Sequence, residues 1–158
     1  MRQLIIFFAA VLMSACMTSA ERAQRLDEKA RKVAQALTES RFTVLIHNMN
    51  TQRYGAHNVT SDFYLKLRGD TLESYLPFLG RAYSAPYGTP SQGLNFTSPV
   101  KKRIESVQKN GATRLELHVS SNEDQYRYQL DIFPNGQTYI HVMAQERDAV
   151  SFDGELDL

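Results

Sequence analysis

The chain has 158 residues, which is enough for one domain and too few for two comfortable ones. A hydrophobic share of 42%, with 10% aromatic residues, is enough to build a core and argues against wholesale disorder. The formal net charge of +1 excludes the basic excess of a typical nucleic-acid binder. The single cysteine excludes an internal disulfide and a cysteine-cluster metal site.

The first residues have the pattern of an export signal. Met1, Arg2 and Gln3 form a short positive segment, and residues 4–13 form an apolar run. About ten apolar residues are too few to span a membrane permanently, but this length is typical of a signal peptide. If Arg2 is removed with this segment, the mature protein carries 17 basic and 17 acidic residues.

Residues 13–16, Met-Ser-Ala-Cys, resemble the bacterial lipobox, in which an apolar residue and two small residues precede an obligatory cysteine. The thiol is required there because diacylglycerol is attached through a thioether. We therefore predict that residues 1–15 are a signal peptide and that lipid on Cys16 anchors the protein in the bacterial cell envelope. The alternative is ordinary cleavage after Ala20, which leaves a soluble periplasmic or secreted protein.

Residues 16–40 are predicted to form a lipid-attached tether and an amphipathic helix. Apolar residues recur at steps of three and four along helix 19–38, with charged residues between them. The stripe is narrow and lasts barely two heptads, so we prefer a helix that packs on the following domain to a helix that pairs with another protein. The stripe consists of Ala23, Leu26, Ala30, Val33 and Leu37.

From Phe42 onward the hydrophobic period changes to two, which indicates β-strands. Residues 42–47 are predicted to form a strand with both faces partly buried. A hairpin follows around Gly69 and Asp70, in a register that places Leu67 opposite Leu72. Further strands are predicted at 100–109, 112–120, 126–132 and 149–156. A hairpin turn at residues 134–136 sets Leu130 opposite Ile140.

These elements predict a single domain, residues 41–158, of mainly antiparallel β-structure with one N-terminal helix, an α+β fold. About eight strands and no βαβ unit indicate a β-sandwich or an open, curled barrel.

Familiar catalytic and metal-binding patterns do not occur in the sequence. The four histidines lack ligand spacing, and there is no nucleophile elbow or glycine-rich phosphate loop. Asp131 is expected to pair with Arg114 across a hairpin, which is a structural use of its carboxylate. We therefore predict a protein that is not an enzyme and has no metal and no cofactor. The histidines are His47, His57, His118 and His141.

The segment from 75 to 88 concentrates aromatic residues, an arginine, glycine and proline in an expected loop. Exposed aromatic rings offer large contact areas at low entropic cost, and an arginine binds carboxylates or stacks on rings. The alternative is that these aromatic side chains close one end of the core, with Arg81 held by loop carbonyls. The candidate binding residues are Tyr75, Phe78, Arg81, Tyr83 and Tyr87.

The same loop resembles an uncharacterised family of Bacteroidetes envelope proteins and lipoproteins that is catalogued as a domain of unknown function. The most specific matching pieces are residues 76–83 and 93–96, and further matches are residues 135–136, Arg147 and residues 151–154. The resemblance covers roughly residues 40 to 156. It implies one domain behind an export signal and assigns no catalytic residue.

We hypothesise an envelope lipoprotein that binds a partner protein or a small amphipathic ligand. The outer membrane is the preferred location, because Met17 and Thr18, which follow the lipid cysteine, lack an aspartate of the kind that retains lipoproteins in the inner membrane. The alternative is an envelope hydrolase that acts on glycans or peptides with carboxylates from separate strands. Buried acidic or histidine side chains converging on a pocket beside residues 77–93 would favour the hydrolase. A third hypothesis makes the protein a passive assembly partner that uses helix 19–38.

Overall fold

The computed structural model describes residues 19–59, 62–83 and 93–158. The described chain forms one helix followed by nine antiparallel strands, so the predicted fold class is confirmed. In chain order the elements are α1 (Ser19–Thr38), β1 (Arg41–Thr51), β2 (Gly55–Asn58), β3 (Tyr64–Arg68), β4 (Thr71–Pro77), β5 (Gly93–Val107), β6 (Thr113–Ser120), β7 (Gln125–Ile132), β8 (Gln137–Ala144) and β9 (Val150–Asp157).

Eight of the strands close into a barrel. The hydrogen-bonded order runs from β1 through β3, β4, β5, β6, β7 and β8 to β9, and β9 pairs again with β1. The barrel is therefore closed, where the sequence left a sandwich or an open barrel as alternatives. Strand β2 lies outside the ring and pairs only with the second half of β1.

Both predicted hairpin registers are confirmed. Leu67 lies opposite Leu72 across the β3–β4 turn, where Gly69 has a φ of 58°. Leu130 lies opposite Ile140 in the β7–β8 hairpin. Turn glycines of this kind accept positive φ without steric cost, so the sequence fixes the loop lengths and hence the pairing.

The barrel interior is filled with side chains. An eight-stranded barrel is just wide enough for its inward-facing residues to meet at the axis. At the centre the Tyr128 ring is fully buried, and its hydroxyl lies 3.0 Å from the Ser74 hydroxyl. Fully buried aliphatic side chains of the same core include Leu65, Leu67, Leu72, Leu115 and Leu130.

Helix α1 lies across one end of the barrel, which we call the base. Lys29 forms an ion pair with Glu155 of β9, and Leu37, eight residues later, accepts a hydrogen bond from Arg103 of β5. Val33 and Leu37 are buried against the core, so the helix packs on the domain as preferred. The first half of the predicted stripe does not pack against the barrel: Leu26, for example, is 59% exposed.

Two sequence expectations are corrected. The second face of β1 is not buried: Leu45 is 42% exposed and His47 is exposed, because only one side of a barrel strand faces the core. Strand β5 begins at Gly93 instead of residue 100, since its first half pairs with β4. No helix in the described residues is long and apolar enough to cross a membrane.

Candidate functional site

The described part of the candidate loop after β4, residues 78–83, lies at the end of the barrel opposite α1, which we call the rim. Ala82 forms an antiparallel bridge with Arg147, in the segment that joins β8 to β9. The Tyr83 amide donates to the Glu146 carbonyl at 2.7 Å, and the Asp148 amide donates to the Arg81 carbonyl at 3.0 Å. Backbone hydrogen bonds therefore hold residues 81–83 in place.

The carboxylate of Asp148 is the centre of this arrangement. It accepts the Arg81 amide at 3.0 Å and the Tyr83 hydroxyl at 2.7 Å, and the Arg53 Nε lies 3.7 Å away. The Arg81 amide and, next, the Tyr83 hydroxyl hold the pKa of Asp148 below its ordinary value. The same hydrogen bond to Asp148 raises the pKa of Tyr83. Both shifts favour the ionised carboxylate and the protonated phenol that this bond requires.

The side chains of this segment point into solvent. Tyr83 is 67% exposed, and Leu79 and Arg81 are exposed as well. Within the described part of the chain, the Arg81 guanidinium makes no hydrogen bond or ion pair. We call Arg53, Leu79, Arg81, Tyr83 and Asp148 the rim patch. It offers apolar and aromatic surface together with two guanidinium groups and one carboxylate, and the Arg53 guanidinium is the one that lies close to this carboxylate.

Phe78 has a different role from its neighbours in the loop. Its ring is half-buried and packs against the core, and the Arg147 guanidinium lies 5.6 Å from the ring centroid. Arg147 is itself buried and contacts Glu123 at 2.5 Å and the Gly93 carbonyl at 3.4 Å. A Cβ on Gly80 would lie 2.9 Å from the Phe78 ring, so the chain passes directly over it. Phe78 therefore closes the core beneath the rim patch.

One buried carboxylate, that of Asp124, lies near this loop, whereas the hydrolase hypothesis called for several buried acidic or histidine side chains that converge on a pocket. The Asp124 oxygens accept the backbone amides of Gln125 at 2.6 Å, Gln145 at 3.1 Å and Glu146 at 3.1 Å. Asp124 also lies 4.0 Å from the Arg147 Nε. These contacts hold the rim segments together, which is a structural use of the carboxylate. The prediction that the protein is not an enzyme stays a prediction.

The structure brings only part of the predicted site together. Arg81 and Tyr83 meet at Asp148, whereas Phe78 turns inward. Tyr75 lies on the outer wall of β4, where its ring centroid is 5.2 Å from that of Phe63. Tyr87 and Cys16 lie outside the described residues, so their predicted roles stay predictions.

Three residues of the rim were not among the candidate site residues predicted from the sequence. Arg53 and Asp148 lie in short polar turns that look like ordinary solvated loops, and nothing in their local pattern singles them out. Arg147 had one signal, its place among the residues that carry the family resemblance. The hydrogen bonds of Asp148 with Arg81 and Tyr83 join segments that lie 65 or more residues apart along the chain.

Arg114, Asp131, His118 and His141 have partners on the same or neighbouring strands. Arg114 binds Asp131 through two hydrogen bonds of 2.6 and 2.8 Å, as expected. His118 lies 2.6 Å from Glu116, and His141 lies 2.8 Å from the Ser151 hydroxyl. Across the described ranges, no group of three or more His, Cys, Asp and Glu side chains is arranged to hold a metal ion.

Comparison with known proteins agrees with the sequence resemblance. A family model described as a domain of unknown function (DUF4251) matches residues 24–156. The crystal structure of a DUF4251 family protein from Bacteroides eggerthii DSM 20697 has a similar fold, with a TM-score of 0.57 and 13% sequence identity. The similarity covers 81% of this chain and 86% of the other. Among curated proteins, no relative matches the sequence.

Proposed function

The chain belongs to the DUF4251 family, a domain of unknown function, and from that premise we propose a lipid-anchored envelope module that binds a partner protein through its rim patch. The observation that carries the proposal is the arrangement of residues 81–83. Their backbone and the Asp148 carboxylate hold the segment in place, while the Arg81 guanidinium and the Tyr83 ring are exposed and can contact a partner. Tyrosine and arginine are, with tryptophan, the residue types that are enriched at binding hot spots.

The filled barrel favours a partner protein over a small amphipathic ligand. Eight-stranded barrels that carry such ligands enclose them between the strands. Here the Tyr128 ring and its aliphatic neighbours occupy that space, and Phe78 closes the core at the rim. An exposed patch of aromatic, aliphatic and arginine side chains suits a protein surface.

We expect replacement of both Arg81 and Tyr83 by alanine to reduce partner binding at least about tenfold, as loss of two hot-spot side chains does. The free energy of unfolding should fall by less than about 1 kcal/mol, because both side chains are exposed. Binding is measured in the native envelope with a photo-crosslinking amino acid at Leu79, as the yield of the crosslinked band. Unfolding is followed by urea denaturation of the purified protein.

The matched control is Tyr139→Ala, which removes an exposed tyrosine from the outer wall of β8. It should leave the crosslinked band unchanged. A double variant that crosslinks as well as wild type would refute the proposed binding surface. A large loss of stability in the double variant would favour the alternative in which these side chains close the core.

The proposed lipid anchor is supported by the lipobox-like residues 13–16, and Cys16 precedes the start of α1 at Ser19 by three residues in the sequence. Cys16→Ser should abolish labelling with radioactive palmitate and release the protein from washed membranes, because two or three acyl chains hold a protein almost permanently. Ser14→Thr, which keeps the cysteine, serves as the control. Normal membrane retention of the Cys16→Ser variant would contradict the anchor.

A further inference from the structure

Strand β5 is staggered in the barrel, and its second half has one unpaired edge. Residues 93–99 pair with β4, whereas residues 100–107 pair with β6 on the opposite edge. Strand β4 begins at Thr71, opposite Pro99, and the last contact on that side is the Val100 amide with the Asp70 carbonyl at 2.7 Å. Beyond it, residues 101–107 pair with no other strand in the described chain.

This free edge also carries exposed apolar side chains. Ile104 is 43% exposed and Val107 is 79% exposed. An exposed strand edge with apolar residues is a template for pairing with another strand. The edge sequence is Lys101, Lys102, Arg103, Ile104, Glu105, Ser106 and Val107.

We propose that a second copy of this chain pairs with the free edge, antiparallel, about a two-fold axis at Ile104. A two-fold axis normal to the sheet places residue 103 opposite residue 105 of the other copy, and residue 102 opposite residue 106. Each Arg103, which contacts Glu105 of its own chain at 2.9 Å, then also faces the Glu105 of the other copy, and the two Ile104 side chains face each other. The lysines face the uncharged Ser106 and Val107, so no like charges are opposed.

The neighbouring two-fold registers are less favourable. An axis at residue 102 sets Lys101 against Arg103, and an axis at residue 103 sets two Arg103 side chains against each other. An axis at residue 105 opposes two glutamates. Like charges directly opposite one another destabilise a strand pair. The axis at Ile104 also uses the complete free edge, which the other registers do not.

Helix α1 meets β5 through the Arg103 side chain. This side chain binds Ser40 and the Leu37 carbonyl at the base, and it lies on the inward side of β5, because Arg103 is paired with the buried Leu117 of β6. The first half of α1 extends toward β9, where Lys29 pairs with Glu155 on the other side of the base. Because one strand from each copy is a small interface, we expect a reversible, concentration-dependent dimer.

The register is tested with single cysteines in the full chain, in a Cys16→Ser background and in detergent. In the proposed dimer two residues at position 104 are about 4.5 to 5.5 Å apart, within the range of a disulfide. Two residues at position 102 are about 14 Å apart, because they are offset by four residues along the paired strands. Under mild oxidation, Ile104→Cys should give at least about ten times more covalent dimer than Lys102→Cys.

The charge pairing is tested by sedimentation velocity over a range of protein concentrations. Glu105→Lys places lysine opposite Arg103 and should move the dimerisation midpoint to at least about tenfold higher concentration. Glu28→Lys on α1 makes the same charge change away from the edge and should leave the midpoint unchanged. A wild-type monomer at every concentration, or equal crosslinking at positions 102 and 104, would overturn the proposal.

Discussion

Replacement of Asp124 by alanine should lower the free energy of unfolding by about 3 kcal/mol or more. The carboxylate is buried and accepts the amides of Gln125, Gln145 and Glu146. Without it, these amides lose an acceptor and the buried Arg147 loses one of its nearby negative charges. Each unsatisfied buried donor costs roughly 1 to 3 kcal/mol, and an unbalanced buried charge costs more. Urea denaturation followed by circular dichroism measures the loss.

Two control variants separate this effect from simple removal of a carboxylate. Asp124→Asn keeps an acceptor oxygen and should lose less stability than alanine. Asp131→Ala removes a carboxylate that binds Arg114 on the outer wall, and should cost less than Asp124→Ala because the Arg114 side chain it leaves behind is 38% exposed to solvent. Equal losses in Asp124→Ala and Asp131→Ala would show that Asp124 does not organise the rim.

Replacement of Gly154 by alanine should prevent closure of the barrel. A Cβ at this position would clash with the Leu45 backbone carbonyl and lie 3.0 Å from Cγ1 of Val44. Strand β1 cannot retreat, because it is paired with β3 on one edge and with β9 on the other. We expect a loss of more than about 4 kcal/mol, or no folded protein, since neither backbone can relieve the clash without breaking the seam.

The control is Gly111→Ala in the β5–β6 turn. Gly111 has a φ of 81°, so alanine there is strained, but a Cβ would meet no atom within 4 Å. Its cost should be about 1 to 2 kcal/mol, the penalty for the left-handed conformation alone. Amide NMR spectra and urea midpoints compare the two variants. If Gly154→Ala is as stable as Gly111→Ala, the close approach of β1 and β9 does not depend on the glycine.

Most of the fold could be predicted from local sequence. The β3–β4 and β7–β8 registers follow from alternation and turn chemistry within about 20 residues, and both are confirmed. The start of β5 was missed because the sequence before residue 100 contains the Gly- and Pro-rich loop, and only pairing with β4 makes Gly93 part of a strand. Pairing between distant segments overrides local propensity there.

The candidate site was predicted only in part. Composition identified the loop that contains Arg81 and Tyr83, because aromatic and arginine side chains cluster there. It could not distinguish Phe78, which closes the core, from Tyr83, which is exposed, since both are aromatic residues in one loop. The difference arises from contacts with Arg147 and Asp148, which follow more than 60 residues later.

The sequence by itself determined the helix, the strand pattern and the hairpins, because side-chain period and turn residues act between near neighbours. Closure of the ring, the unpaired edge of β5 and the rim patch were decided only by the tertiary structure. Closure depends on the accumulated stagger of eight strands, and it brings together the first and last strands, β1 and β9. The packed barrel then fixes which side chains of each turn reach the core and which face solvent.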